Sequence, residues 1–342
     1  MSRTNQPLNI QSSPHLHSGA SVDVIMRNVV WALIPVVGFA VYAFGLAGLL
    51  VLITALLSCL LTEHMLCRYS GKPTTVNDWS VVITGLLYGL TLPPGLPLWM
   101  VALGGVLSVA LGKFIFGGLG YNPFNPALVG RAFLQAAFPS AMTSWIPAFN
   151  DTRFTTVPGS TFTIPFASPV YDQISTATPL AAMKFEHTVS KPMDLLLGLS
   201  SGSTGETCAL LILLGGAYLI VRNMMNWRIP AGIFLAVFGL SAILNTFHPE
   251  IYPSPWFMLF SGGLMLGAMF MATDMVASPI THWGCFIYGA LIGVLVVVIR
   301  LWGGLPEGVM YAILLANAVS PHIDRFIQPR VFGTVKPRSD NE

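Results

Sequence analysis

Charge is what this chain has least of. Asp, Glu, Lys and Arg together make 9% of its 342 residues, against about 25% in soluble domains. So few charges cannot cover a water-facing surface, and 54% of the residues are hydrophobic. The composition therefore excludes a soluble globular protein and points to an all-α polytopic membrane protein. The net charge is only +2, which excludes a nucleic-acid partner that depends on a basic surface and leaves the lipid bilayer as the general one. Cysteine is scarce too. Cys59, Cys67, Cys208 and Cys285 form no Cys-x-x-Cys and have no histidine at metal-ligand spacing. They read as small membrane-buried residues, or as one share of an iron–sulfur site completed by another subunit. No metal site is expected within the chain. Walker, Rossmann, His-Glu-x-x-His and Gly-x-Ser-x-Gly signatures are all missing, which removes the common soluble enzyme classes. The polar start has no apolar core near a small-residue cleavage site, so no cleaved signal peptide is expected.

Long apolar runs fill the rest. Residues 1–25 form a polar arm, where His15 and His17 read as part of a tail. Ten hydrophobic spans are predicted at 28–44, 46–66, 80–92, 98–116, 127–138, 207–221, 229–247, 256–273, 284–302 and 308–319. The division is into a first membrane half at 26–138, a loop at 139–206, a second membrane half at 207–320 and a polar tail at 321–342. Several spans are too short for the roughly 20 residues of a perpendicular helix and read as broken helices. Five spans per half allow two inverted repeats, as in many transport folds. A faint echo links Pro97-Leu98-Trp99-Met100 with Pro255-Trp256-Phe257-Met258, and Gly104-Gly105 with Gly262-Gly263. It is short enough to arise by chance.

Orientation follows from Lys and Arg near span ends. With the N-terminus inside, Arg27, Arg68, Lys113, Arg222, Arg228 and Arg325 fall on the cytoplasmic side, and so does the C-terminal tail. The opposite connections 92–97 and 248–253 carry no Lys or Arg. Arg300 is the exception, placed near an outer end where it could snorkel. Both termini are then cytoplasmic, and the loop 139–206 is external, periplasmic in a bacterial inner membrane.

Polar groups within apolar spans are costly in lipid and mark sites. Asn122 and Asn125 with Arg131 form one cluster, and Thr273 with Asp274 another. Each follows a glycine-rich span and precedes a Pro- or Gly-broken segment. They read as a flavin or ion pocket, or as caps on broken helix ends. Glu63 and His64 read as interfacial. Gly85-x-x-x-Gly89 and Gly263-x-x-x-Gly267 read as close helix packing. In the external loop, Asp172-Gln-Ile-Ser175-Thr-Ala177-Thr178 precedes Pro179, which biases Thr178 to an extended conformation. A hydroxyl-rich stretch of small residues leaves Thr178 open to modification. It is also what a plain Ser/Thr/Pro loop would look like.

Three strings resemble the RnfD (RsxD) family of the Rnf electron-transport complex, which is homologous to the B component of the sodium-pumping NADH:quinone reductase. They are Asp172 to Thr178, Gly120-Tyr-Asn-Pro-Phe-Asn-Pro-Ala-Leu-Val-Gly-Arg131, and Ser261-Gly-Gly-Leu-Met-Leu-Gly-Ala-Met-Phe-Met-Ala-Thr-Asp274. The resemblance runs from about residue 20 to 325. It departs where many relatives continue Ala-Thr-Asp with proline and this chain has Met275. The resemblance implies a membrane electron-transfer subunit that carries covalent FMN on Thr178. A flavin transferase attaches it from FAD, with Asp172, Ser175 and Ala177 completing the attachment motif. It further implies partners in Rnf subunits A, B, C, E and G, and leaves open a second, non-covalent flavin. The complex couples electron flow between ferredoxin and NAD, or to a redox sensor, to movement of an ion; the subunit alone is not an enzyme. A channel or transporter without redox function, or a non-redox scaffold, would lack flavin. The scaffold would still co-purify with iron–sulfur proteins.

Overall fold

The computed structural model describes residues 21–71, 74–165, 167, 177–206 and 208–329. All regular structure among them is helical. Helix α1 (Val22–Tyr69) starts behind Ser21, whose hydroxyl accepts the Val24 amide. At 48 residues it would be about 72 Å long if straight, more than twice the roughly 30 Å of a bilayer's apolar core. It is not straight. Gly45 has φ +63 and ψ −138, and the groups freed by the break are taken up by the segment 149–153. Phe149 N donates to Ala43 O, and Leu46 N to Arg153 O, both at 2.9 Å. The sequence placed the join between spans one and two at this point.

The two arms of α1 fold back on each other. Ile25 and Val29 from the first arm share a cavity with Ser80 and Lys113, and Lys113 is paired with Glu63 of the second arm. Gly45 is therefore an apex at one end of the bundle, and the two ends of α1 lie together at the other. Helix α2 (Ser80–Leu90) packs on the second arm; Gly85 and Gly89 bring it against Leu56, Leu52 and Ala55, the close packing expected of that glycine pair. Helix α3 (Leu98–Val109) runs on through a π-helical turn, Ala110–Phe114. Helix α4 (Pro126–Ala137) has Asn125 as its cap, with the side-chain oxygen accepting Ala127 N.

The segment after α4 is folded where it is described. It holds α5 (Pro139–Met142), α6 (Pro179–Ala181) continuing as a π turn to Glu186, and α7 (Pro192–Leu197). Leu180, Met183 and Leu195 pack on Phe257 in a small second core. Beyond it come α8 (Ala209–Val221), α9 (Arg228–Phe247), α10 (Pro255–Phe260), α11 (Leu264–Leu266) with a π turn to Met271, α12 (His282–Trp302) and α13 (Val309–Phe326). Helices α9 and α12 approach closely through Gly232, Gly289 and Gly293.

The predicted span 256–273 is two pieces, broken at Ser261-Gly262-Gly263, with Gly262 at φ +61. Its echo, Gly104-Gly105, lies inside the continuous α3, so the two glycine pairs do not share a local structure. The last span runs to Phe326 rather than 319, because Pro321 is accommodated within α13. Among the described residues, three helices, α1, α9 and α12, are long and apolar enough to cross a membrane. Large apolar side chains face outward from them, among them Trp31, Leu57, Leu61 and Leu235. Such a surface suits lipid, and the chain is a helical multi-pass membrane protein.

Candidate functional site

Two polar constellations lie at opposite ends of the bundle. At the end away from Gly45, Asn122, Asn125, Thr273 and Asp274 line one cavity with Lys113 and Ser80. The sequence grouped these as two clusters, and the fold brings them together. Asn122 Nδ2 donates to Asp274 Oδ2 at 3.3 Å, and Asn125 Nδ2 to Met271 O at 3.2 Å. Thr273 Oγ1 donates back to Met269 O at 2.7 Å. Burial pushes the Asp274 carboxyl above its ordinary range, opposed by hydrogen bonds from Val276 N and Asn122. Asn125 and Thr273 thus do close helix ends, one of the two roles foreseen. The cavity encloses about 100 Å³.

Arg131 is elsewhere. It is on α4 toward the Gly45 end, 7% exposed, between two carboxylates. Its Nη2 donates to Glu307 Oε2 at 3.0 Å, and its Nη1 lies 3.6 Å from Glu206 Oε1. Glu307 Oε1 is buried without a hydrogen-bond partner. Burial, and next the charge of Glu206, push the Glu307 carboxyl up to about 8; Arg131, Arg300 and the Thr178 hydroxyl pull the other way.

Thr178 belongs to this second constellation. Its backbone is extended, φ −66 and ψ 154, as Pro179 requires, and its Oγ1 caps the following turn by accepting Ala181 N at 3.2 Å. It is not the open side chain that its small neighbours suggest. It is 3% exposed, because Leu180 is drawn into the core around Phe257 and carries the cap inward. Thr178 lines a cavity of about 450 Å³ with Arg131, Glu307, Trp145, Phe185 and Tyr311. Ala177 lies at its exposed edge, and Asp172 and Ser175 are outside the described residues.

Sequence reasoning missed Glu206 and Glu307 and misplaced Arg300 and Glu63. Glu206 and Glu307 each sit just before a helix, at an end otherwise poor in charge, and that placement was the available signal. Arg300 does not snorkel. It is 1% exposed and donates to the carbonyls of Met258 and Ser261, the last acceptors before the break in the α10–α11 span. Glu63 is not interfacial but 2% exposed, and accepts Lys113 Nζ at 2.7 and 2.9 Å; Ser80 Oγ accepts the same ammonium at 2.7 Å. His64 beside it is exposed, as expected.

Comparison with known proteins follows the chain almost end to end. The model of the NQR2, RnfD, RnfE family matches residues 9–333. The D subunit of the Na(+)-translocating ferredoxin:NAD(+) oxidoreductase complex of Acetobacterium woodii is 41% identical over 97% of this chain and 98% of its own length. The D subunit of the proton-translocating ferredoxin:NAD(+) oxidoreductase complex of Clostridium ljungdahlii is 40% identical over 95% and 96%. The D subunit of the ion-translocating oxidoreductase complex of Yersinia pseudotuberculosis is 39% identical over 95% and 98%.

Proposed function

The chain belongs to the NQR2, RnfD, RnfE family, and from that premise we propose that it is the membrane electron-transfer subunit of an Rnf-type complex, bearing FMN on Thr178. The observation that carries the reading is local. The last threonine of the attachment motif faces a cavity of about 450 Å³ with Trp145, Phe185 and Tyr311 among its walls. That volume is within the roughly 300–1,000 Å³ of small-molecule sites, and aromatic walls suit a flat heteroaromatic ring. When bound, the flavin supplies one- and two-electron transfer; the chain holds the ring, excludes water and sets the charge around it. Attachment forms a bond from Thr178 Oγ1 to the flavin-side phosphorus of FAD, breaks the pyrophosphate bond, releases AMP and gives up the hydroxyl proton. With Thr178 3% exposed, the transferase must act before the turn at 179–186 docks, or while it is displaced.

The helices support ten crossings: the two arms of α1, then α2, α3, α4, α8, α9, α10 with α11, α12 and α13. Both termini are cytoplasmic in the bacterial inner membrane, and the segment with Thr178 is periplasmic. Five crossings in each half make the halves opposite in direction, the geometry of an inverted repeat. The partners are the other Rnf subunits, A, B, C, E and G, and the electron flow is between ferredoxin and NAD or to a redox sensor. Asn122, Asn125, Thr273 and Asp274 are assigned to a second flavin or to the ion path; at about 100 Å³ their cavity must widen to take a ring.

Thr178→Val keeps the shape and removes the nucleophilic oxygen. Co-expressed with the transferase, it should insert normally and lose both in-gel flavin fluorescence and the FMN mass increment. Covalent flavin persisting on Thr178→Val would overturn the assignment and turn attention to Thr176.

A further inference from the structure

We infer that Arg131 is the counter-cation of the phosphodiester formed at Thr178, and that Glu307 is the carboxylate that yields its share of Arg131 to that phosphate. The inference rests on the reading above and adds the residues that receive the phosphate.

Among the described residues, Arg131 is the one cation lining the cavity that contains Thr178. Lys184 and Arg153, in the segment between α4 and α8, and Arg300 beside it are committed elsewhere, and Lys191 is exposed and outside the cavity lining. Lys184 Nζ donates to the carbonyls of Arg300 and Gly303. Arg300 is held by Met258 O and Ser261 O. Arg153 donates to Tyr42 O and Asn150 O and lines a different cavity at the Gly45 apex. Lys184, Lys191 and Arg153 share the segment with Thr178 in sequence, and none of them lines its cavity.

Arg131 is also under-used. A guanidinium has five donors in a planar fork. Here one hydrogen bond reaches Glu307, and the approach to Glu206 at 3.6 Å is an ion pair without a hydrogen bond. Two carboxylates share one arginine, and Glu307 Oε1 is left buried with no partner. An unsatisfied buried acceptor is a cost the protein retains for a reason or relieves on binding. A phosphodiester carries one negative charge and two free oxygens, and matches the guanidinium fork in a way a point charge does not. Placed on Thr178, it competes for Arg131 with Glu307, whose carboxyl already resists ionisation. Glu307 can then accept a proton and offer a donor to the phosphate, so that the pocket takes up the new charge without an extra cation.

The test compares wild-type complex with Arg131→Gln, Arg131→Lys, Glu307→Gln and the Arg131→Gln/Glu307→Gln double variant, each produced with the transferase. Intact mass gives flavin occupancy, phosphorus NMR reads the phosphodiester, and redox titration gives the midpoint potential of the Thr178-bound flavin. Arg131→Gln should shift the phosphorus resonance and lower the potential. Glu307→Gln, which copies the protonated acid, should leave the potential near wild type and remove the shift of the resonance that wild type shows as pH rises; Arg131→Lys should recover the potential but not the resonance, and the double variant should match Arg131→Gln. A potential that follows the charge at Arg131, with a pH dependence that vanishes in Glu307→Gln, is the mark of charge at the phosphate; a merely structural role would move both single variants the same way at every pH. If Arg131→Gln fails to insert, Arg131→Lys and Glu307→Gln decide, and an unshifted resonance in the first together with a wild-type pH dependence in the second overturns the proposal. A wild-type chain with no mass increment on Thr178 would instead sink the flavin reading itself, and the two failures are separable by mass.

Discussion

The Lys113–Glu63 pair is the most deeply buried charge at the end of the bundle away from Gly45, with side chains 4% and 3% exposed. Removing one member of such a pair strands the other, at a cost of about 3–5 kcal/mol, whereas replacing both is often close to neutral. Lys113→Met should therefore lower the thermal midpoint in detergent sharply, and Lys113→Met/Glu63→Gln should regain most of the loss. A double variant no more stable than the single one would show that packing, not charge, was removed. At the other end, Glu307 faces Glu206, Arg131, Arg300 and Thr178, and burial raises its carboxyl from the usual 4.5 to about 8. A raised acid favours its protonated form in the fold, so its contribution is complete below the unfolded pKa and is lost as pH rises through about 8. In protein without flavin, wild type should lose more stability between pH 6 and 9 than Glu307→Gln does. Parallel curves would mean that Glu307 is ionised throughout. Neither pair was legible from sequence, because Lys113 is 50 residues from Glu63, and Arg131 is 176 from Glu307; no local pattern joins them.

The elements were legible where hydrophobicity alone decides them. Nine of the ten apolar runs became helices near their predicted places, because an apolar run in lipid must satisfy its backbone internally. The exception is instructive: the span 256–273 breaks at Gly262-Gly263, and Arg300 fills the gap by donating to Met258 O and Ser261 O. A glycine pair signals permission to break, but the decision is made by an arginine on α12, 39 residues away from Ser261. The join in α1 was readable because glycine alone accepts φ +63 comfortably. A Cβ there would lie 2.1 Å from the Arg153 carbonyl oxygen. Gly45→Ala should thus cost more than the roughly 1–3 kcal/mol of a strained backbone, since the segment around Arg153 must also withdraw. Circular dichroism should still show helix, while thermal stability falls and proteolysis within 149–156 rises. A Gly45→Ala protein as stable and protected as wild type would show that the apex does not depend on that hydrogen-bonded contact.

At the scale of the molecule, the bundle separates its chemistry by end. Asp274, Asn122 and the Glu63–Lys113 pair gather at one end, and Thr178, Arg131, Glu206 and Glu307 at the other. The sequence grouped Arg131 with Asn122 and Asn125, but α4 rises from Asn125 and carries Arg131 to the opposite partners. The separation of the two constellations makes the proposed orientation testable. Thr155 is exposed near the Gly45 apex, and Gln328 is exposed after α13. The four native cysteines are buried and give little background. Thr155→Cys and Gln328→Cys should therefore be read cleanly with a membrane-impermeant maleimide on intact cells and on inverted vesicles. Thr155→Cys should label from the periplasm and Gln328→Cys only from the cytoplasmic face. The basis is that Lys and Arg crowd the end bearing Arg68, Lys113, Arg222 and Arg325, and cytoplasmic connections carry that excess. Labelling of both from one side would break the ten-crossing path, and exchange of the two sides would invert it, putting Thr178 in the cytoplasm and out of reach of an exported transferase.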